Sequence, residues 1–233
     1  DDYGGPYREV FTIMCAELEN ENVLPLLIPT PNGQANLGQS RDKFLLQPSA
    51  MSSEQLSMYE FLGMLVALTL LQQETVLSLN LCSVFWKQLV QVPLHSHDLA
   101  SFDETVCHSL HKLEHIEDEG VDEDLFEDLF FETFTAPLSN GNEVEITDGG
   151  RAINVTFHNR AEYCQQVIKT RLNESRVPAM AVLRGLPPML PGRPLALLTP
   201  PEPEPITCRP PDLAHGGLRA PTRARRAVAA HAL

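Results

Sequence analysis

The sequence predicts an α+β fold that is mainly helical. Three observations predict it. Apolar residues recur at helical spacing behind capping residues through most of the first 186 positions. Most strand-like runs gather in one stretch, between Phe130 and Phe157, with turn residues among them. Proline then breaks both patterns. Ten of the 19 prolines lie between Pro187 and Pro211, a density that no helix or central strand survives.

The elements follow in order. Pro6 suits a first helical turn, and Val10, Met14 and Leu18 then fall on one face at i, i+4, i+8. Leu24 to Ile28 reads as a short strand, stopped by Pro29-Thr30-Pro31-Asn32-Gly33. Ser52-x-x-Gln55 is a capping box that opens a long helix to about Gln73. Its middle, Leu62 to Leu71, is apolar on most sides, so it is expected at the centre of the core. Ser83 should cap a helix to about Gln91, and Asp103 one to about Ile116. Asp122 starts a short acidic helix. Phe130 to Thr135, Val144 to Ile146 and Ile153 to Phe157 form an expected three-strand meander, with Ser139-Asn140-Gly141-Asn142 and Asp148-Gly149-Gly150 as its turns. Asn159-x-x-Glu162 caps a last helix to about Glu174. Two packed subdomains are expected: one to about Leu99 and again after the last helix, the other from about Ala100 to Asn173. Residues 187–233, Pro-rich and then Arg/Ala-rich, are expected to be disordered.

Composition narrows the function. A formal charge of −14 argues against nucleic acid, whose phosphates demand Lys and Arg, and favours a basic protein partner. The acids concentrate between Asp103 and Asp148, where Lys112 is the lone cation. With 43% hydrophobic residues the chain can bury a real core. The longest apolar run, Phe61 to Leu71, is too short to span a bilayer, so no membrane role is expected. Cys15, Cys82, Cys107, Cys164 and Cys208 are odd in number and widely spaced. That argues for a reducing compartment, cytoplasmic with nuclear as the alternative, and against a disulfide framework. The sequons at Asn154 and Asn173 are expected to be unused.

Several short motifs recur in a fixed order. Residues 2–11 read D-x-G-G-x-x-R-E-x-F. There follow Leu26-Leu27-Ile28-Pro29-Thr30-Pro31-Asn32, Arg41-Asp42-Lys43-Phe44, Pro48-Ser49-Ala50, and an F-x-G-x-L-x-A helix at Phe61 to Ala67. Val84-Phe85-Trp86-Lys87-Gln88-Leu89 and Asn159-Arg160-Ala161-Glu162-Tyr163 complete the series. Together they resemble the N-terminal lobe of the HECT domain of ubiquitin ligases, most closely the giant HERC-type members. The resemblance covers about residues 1–186. Because the chain begins inside the opening motif, it is expected to be a fragment cut at a domain boundary.

The resemblance implies a function. Such a lobe binds a ubiquitin-loaded conjugating enzyme through its small subdomain, here about residues 100–173. A second lobe supplies the cysteine that takes the ubiquitin before a substrate lysine does. The docking groove carried over by the resemblance is Leu110, Leu113, Ile116, Leu125 and Tyr163. Physical chemistry supports part of this. A small apolar loop needs an apolar groove with an aromatic wall. Val106, Leu110 and Leu113 share one helix face at i, i+4, i+7, a stripe that equally suits ordinary core. Glu117, Asp118, Asp122 and Glu123 would steer a basic partner, or simply form a solvated face.

No catalytic residue is expected in this chain. Thr207-Cys208 sits where the family's nucleophile would fall, but Arg209-Pro210-Pro211 follows where an apolar strand should. Leu197-Leu198-Thr199-Pro200-Pro201-Glu202-Pro203-Glu204 fits instead the end of the first lobe, with Cys208 as a structural residue. The other four cysteines read as small core hydrophobes. His108, His111 and His115 share a helix face opposite the apolar stripe, without an evident fourth ligand, so neither a metal nor a cofactor is expected. The runner-up function is a non-catalytic module that binds conjugating enzymes and lacks the second lobe.

Overall fold

The computed structural model describes residues 5–71 and 77–186. Its first helix, α1, spans Gly5–Leu18 and buries Phe11, Cys15 and Leu18. The expected face is therefore offset at its start: Val10 is exposed, and the neighbouring phenyl ring takes the interior position. Strand β1 (Leu27–Pro29) begins three residues later than Leu24. It pairs antiparallel with β2 (Phe44–Leu46), setting Leu27 against Leu46 and Pro29 against Phe44.

The Pro-Thr-Pro-Asn-Gly stretch, expected as a turn, holds a short helix, α2 (Pro31–Ala35). Thr30 caps it by accepting from the Gly33 N–H at 3.0 Å, and Pro31 occupies the first helical position, where no N–H is needed. Asn36 closes it in the left-handed region, φ 53°.

Helix α3 (Ser53–Leu71) opens with the predicted capping box. Ser52 Oγ accepts from the Gln55 N–H and Gln55 Oε1 accepts from the Ser52 N–H, each at 3.2 Å. Tyr59, Leu62, Leu65, Val66 and Ala67 are buried along it, and the Tyr59 hydroxyl donates to the Leu26 carbonyl at 2.6 Å. The expected extension to Gln73 lies outside the described residues.

Helix α4 (Ser83–Leu89) is flanked by Cys82, so Ser83 is its first residue and makes no side-chain cap. Two more turns on, α5 (Ser96–Ala100) was not foreseen. Asp98 holds it by accepting from the His95 N–H at 2.8 Å and pairing with Lys87 at 2.5 Å. Burial pushes the Asp98 carboxyl up, but these two donors more than offset it and hold it below the usual carboxylate range.

Helices α6 (Glu104–Glu114) and α7 (Glu123–Leu129) start as read. Asp103 accepts from Val106 N–H at 3.1 Å, and Asp122 from Leu125 N–H at 3.0 Å. The three-strand meander is reduced to two strands, β3 (Thr135–Pro137) and β4 (Glu143–Glu145), paired antiparallel. The third run makes only an isolated bridge, Thr133 with Asn154. A 3₁₀ turn at Gly150–Ala152 curls the chain just before it, and Phe134 N–H is shared between the Gly150 and Ile153 carbonyls.

Helix α8 (Arg160–Asn173) ends as expected, but Asn159 does not cap it. The Asn159 side chain instead accepts from Thr156 N–H at 2.7 Å and donates to the Asn154 carbonyl at 3.0 Å. A further helix, α9 (Arg176–Gly185), follows at once. Pro178 conceals it in the sequence, yet stands in the first turn, where its missing N–H costs nothing.

Buried apolar residues form two large clusters. The first surrounds α3 and draws on α1, β1, α4 and α9. The second joins α6, α7, β3 and α8 through Leu110, Phe126, Ala136 and Tyr163, with Phe134 just ahead of β3. A smaller cluster built on Leu99, Phe102 and Leu172 shares Val106 and Ile168 with the second.

The closest helix contact is α3 on α9. A Cβ at Gly63 would lie 2.1 Å from the Val182 carbonyl oxygen, and one at Gly185 would lie 1.9 Å from that of Glu60. Backbone cannot yield as a flexible side chain can. Gly63→Ala and Gly185→Ala should each cost about 1–3 kcal/mol by overpacking. Urea unfolding of the two variants checks this, and an unchanged midpoint would contradict the packing described.

Candidate functional site

Asp103, Ser139 and Arg171 are buried, as is the side chain of Glu174, and together they fix the second cluster in place. Arg171 Nη2 pairs with Asp103 at 2.8 Å and donates to Ser139 Oγ at 2.9 Å, while Nε pairs with Glu174 at 3.0 Å. Glu174 also accepts from the backbone N–H of Ser139 at 3.0 Å and from its hydroxyl. Burial pushes the Glu174 carboxyl up, and Arg171 and Ser139 act against that. The network ties the start of α6, the β3–β4 turn and the end of α8 together.

On this frame the predicted groove residues separate into two groups. Leu110, Leu113, Ile116 and Tyr163 come together in the second cluster and are all buried, each with less than 10% of its surface exposed. The Tyr163 ring meets Phe134 edge-on at 5.5 Å, and its hydroxyl donates to the Thr135 carbonyl at 3.1 Å. Burial, with Glu132 nearby, pushes that phenol up to about 12. Leu125 is apart from them, 43% exposed on α7.

Helix α7 has seven residues and buries one of them fully, Phe126, which stacks on Phe130 at 4.9 Å. Its other apolar side chains face water. Leu129 is 58% exposed and the following Phe131 is 82% exposed. Neither was singled out in the sequence, because Phe131 fell inside an expected strand. The available signal was the i, i+4 spacing of Leu125 and Leu129, which leaves Phe126 on a different face. Glu123, Asp124, Glu127, Asp128 and Glu132 are exposed among them. Nearby, Arg160 pairs with Glu117 and lies 4.1 Å over the Phe157 ring.

Cys15, Cys82 and Cys164 are buried and Cys107 is half-buried. Burial and the neighbouring Glu114 push Cys164 up to about 11. Burial, with Asp103 beside it, raises Cys107 as well. A thiol held protonated is a poor nucleophile. Cys208 lies outside the described residues. His108 and His111 on α6 and His115 at its C-terminal end are exposed, with the last two rings stacked at 4.5 Å. No group of three His, Cys, Asp or Glu among the described residues is placed to hold a metal. No described helix is long and apolar enough to cross a membrane.

The described residues thus form a helical lobe with two small two-stranded sheets and a short acidic helix that presents leucines to solvent. The chain belongs to the HECT-domain (ubiquitin-transferase) family, whose sequence model matches residues 14–229. The match runs past Leu186, the end expected from the motifs, and takes in Cys208. Human E3 ubiquitin-protein ligase HERC2 is 35% identical over 213 residues, covering 91% of this chain and 4% of that protein. The probable human E3 ubiquitin-protein ligase HECTD4 is 29% identical over 222 residues, 88% of this chain and 6% of that protein. Chicken (Gallus gallus) E3 ubiquitin-protein ligase HACE1 is 29% identical over 194 residues, 80% of this chain and 19% of that protein. The chain thus spans a small part of the length of these relatives.

Two outcomes follow from the frame. Arg171→Met leaves two carboxylates buried without their cation and should destabilise the fold by about 3–5 kcal/mol in denaturant unfolding. Tyr163 is held neutral by the fold, so its share of stability is complete below its ordinary value of 10 and is lost as pH rises toward 12. Unfolding curves of Tyr163→Phe should therefore lose less stability over that interval than those of the parent chain.

Proposed function

We propose that this chain is the part of a HECT-type ubiquitin ligase that docks a ubiquitin-loaded conjugating enzyme. The observation that carries the reading is the exposed face of α7 and its end, where Leu125, Leu129 and Phe131 stand among five acids. Apolar anchors inside a charged rim suit recognition of a small apolar loop on a basic partner. Residues 1–186 make the N-terminal lobe and about 100–173 its docking subdomain, with 187–233 a degenerate continuation. Leu110, Leu113, Ile116 and Tyr163 support the docking face from beneath, and Leu125 makes direct contact. In the complete family ubiquitin then moves to a thioester on a second-lobe cysteine and on to a substrate lysine. The names of the relatives, all ubiquitin-protein ligases, support the class.

A second reading, a module that binds conjugating enzymes without accepting ubiquitin, draws on the raised thiols of Cys107 and Cys164. Mixing the chain with a loaded conjugating enzyme separates the two. A reductant-sensitive ubiquitin adduct, lost in Cys208→Ala, would establish transfer through this chain. Binding with no adduct would leave docking as its activity. Leu125→Asp should weaken that binding roughly tenfold, about 1.4 kcal/mol, while stability moves by no more than about 0.5 kcal/mol. Equal binding by parent and variant, read by titration calorimetry, would refute the assigned face.

A further inference from the structure

The α7 face has a complement elsewhere in the same chain. From Asp103 to Asp148 there are 15 acids and one cation, Lys112. Among the described residues Glu123 pairs with His158 at 3.0 Å, while Asp124, Glu127 and Asp128 make no ion pair. Residues 219–233 hold Arg219, Arg223, Arg225 and Arg226, no acid, and a small apolar run at Ala227-Val228-Ala229-Ala230. Basic charge followed by small apolar side chains matches acidic charge around Leu125, Leu129 and Phe131.

We propose that residues 219–230 dock in cis on the exposed face of α7. The arginines meet Asp124, Glu127 and Asp128, and Val228 with its flanking alanines covers the leucines and Phe131. Resting on the proposed docking function, this makes the chain's own segment a competitor for the conjugating-enzyme site. Reach is not limiting. The 33 positions from Leu186 to Arg219 can reach at most about 110 Å, set by the covalent length of the backbone. A fold of this size has a radius of gyration of about 16 Å. Because the segment is covalently attached, the contact is intramolecular and weak intrinsic affinity suffices.

Hydrogen exchange of the full chain tests this without any partner. The parent is compared with a variant carrying Arg219→Gln, Arg223→Gln, Arg225→Gln and Arg226→Gln. The amides of α7 should exchange at least threefold more slowly in the parent, with the difference lost near 1 M salt, where the Debye length is about 3 Å. Equal exchange at low salt would overturn the inference. So would protection that grows with protein concentration, since that assigns the contact to a second copy. Titration with a ubiquitin-loaded conjugating enzyme separates the inference from the function it rests on. The variant should bind roughly three- to tenfold more tightly than the parent. If α7 exchange differs and neither chain binds the enzyme, the docking function fails and the internal contact stands. If both chains bind equally and exchange is unchanged, the internal contact fails and the docking function stands.

Discussion

The guanidinium of Arg171 is closed off from water, and a buried cation is tolerable only when it is fully paired. Its partners are Asp103, 68 positions away, Ser139, 32 positions away, and Glu174 on the next turn. Satisfying one charge therefore brings three distant segments to a point. Much of the second cluster follows. With one oxygen on Arg171, Asp103 uses the other to cap α6, and this sets the rotation that turns Leu110 and Leu113 inward. Asn32 reinforces the same corner, its Oδ1 accepting from the Glu104 N–H at 2.8 Å. Ser139 brings the β3–β4 turn in, and Asn140 next to it reaches Gln47 at 2.8 Å and Ser49 at 2.9 Å. The polar network thus links the strands and helices of the second cluster to the β2 side of the first.

What this frame leaves uncovered is as informative as what it buries. Helix α7 is too short to bury more than one ring, and Phe126 takes that place between Phe130 and Phe157. Leu125 and Leu129 are then turned outward on a helix otherwise made of acids. Exposed leucines and a phenylalanine in one short stretch are costly in water unless something covers them, which is why the proposed function and the internal contact both centre on α7.

Local signals that need only neighbouring residues were legible. The capping box at Ser52, the caps at Asp103 and Asp122, and the apolar helix after Ser53 all stand where the sequence puts them. Signals that depend on partners far along the chain were not. Ile153 to Phe157 has strand composition, but the preceding 3₁₀ turn leaves it one bridge. Helices α2 and α9 hide behind prolines that serve as first-turn residues. The apolar residues divide the same way. The shared face of Leu110 and Leu113 was legible from their spacing, and both are buried, whereas the exposure of Leu129 and Phe131 follows from which ring α7 buries.

The sequence by itself determined the family, the mainly helical α+β class and most helix starts. Those properties reside in motif order, capping residues and periodicity, all read within a few residues. Tertiary structure decided which side of each apolar stripe meets solvent, and where the charge of Arg171 is neutralised. Burial is a property of the assembled surface, and an ion pair across 68 positions has no local signature. Leu110 and Leu125 look alike in the sequence. Only packing makes the first interior, 7% exposed, and the second surface, 43% exposed.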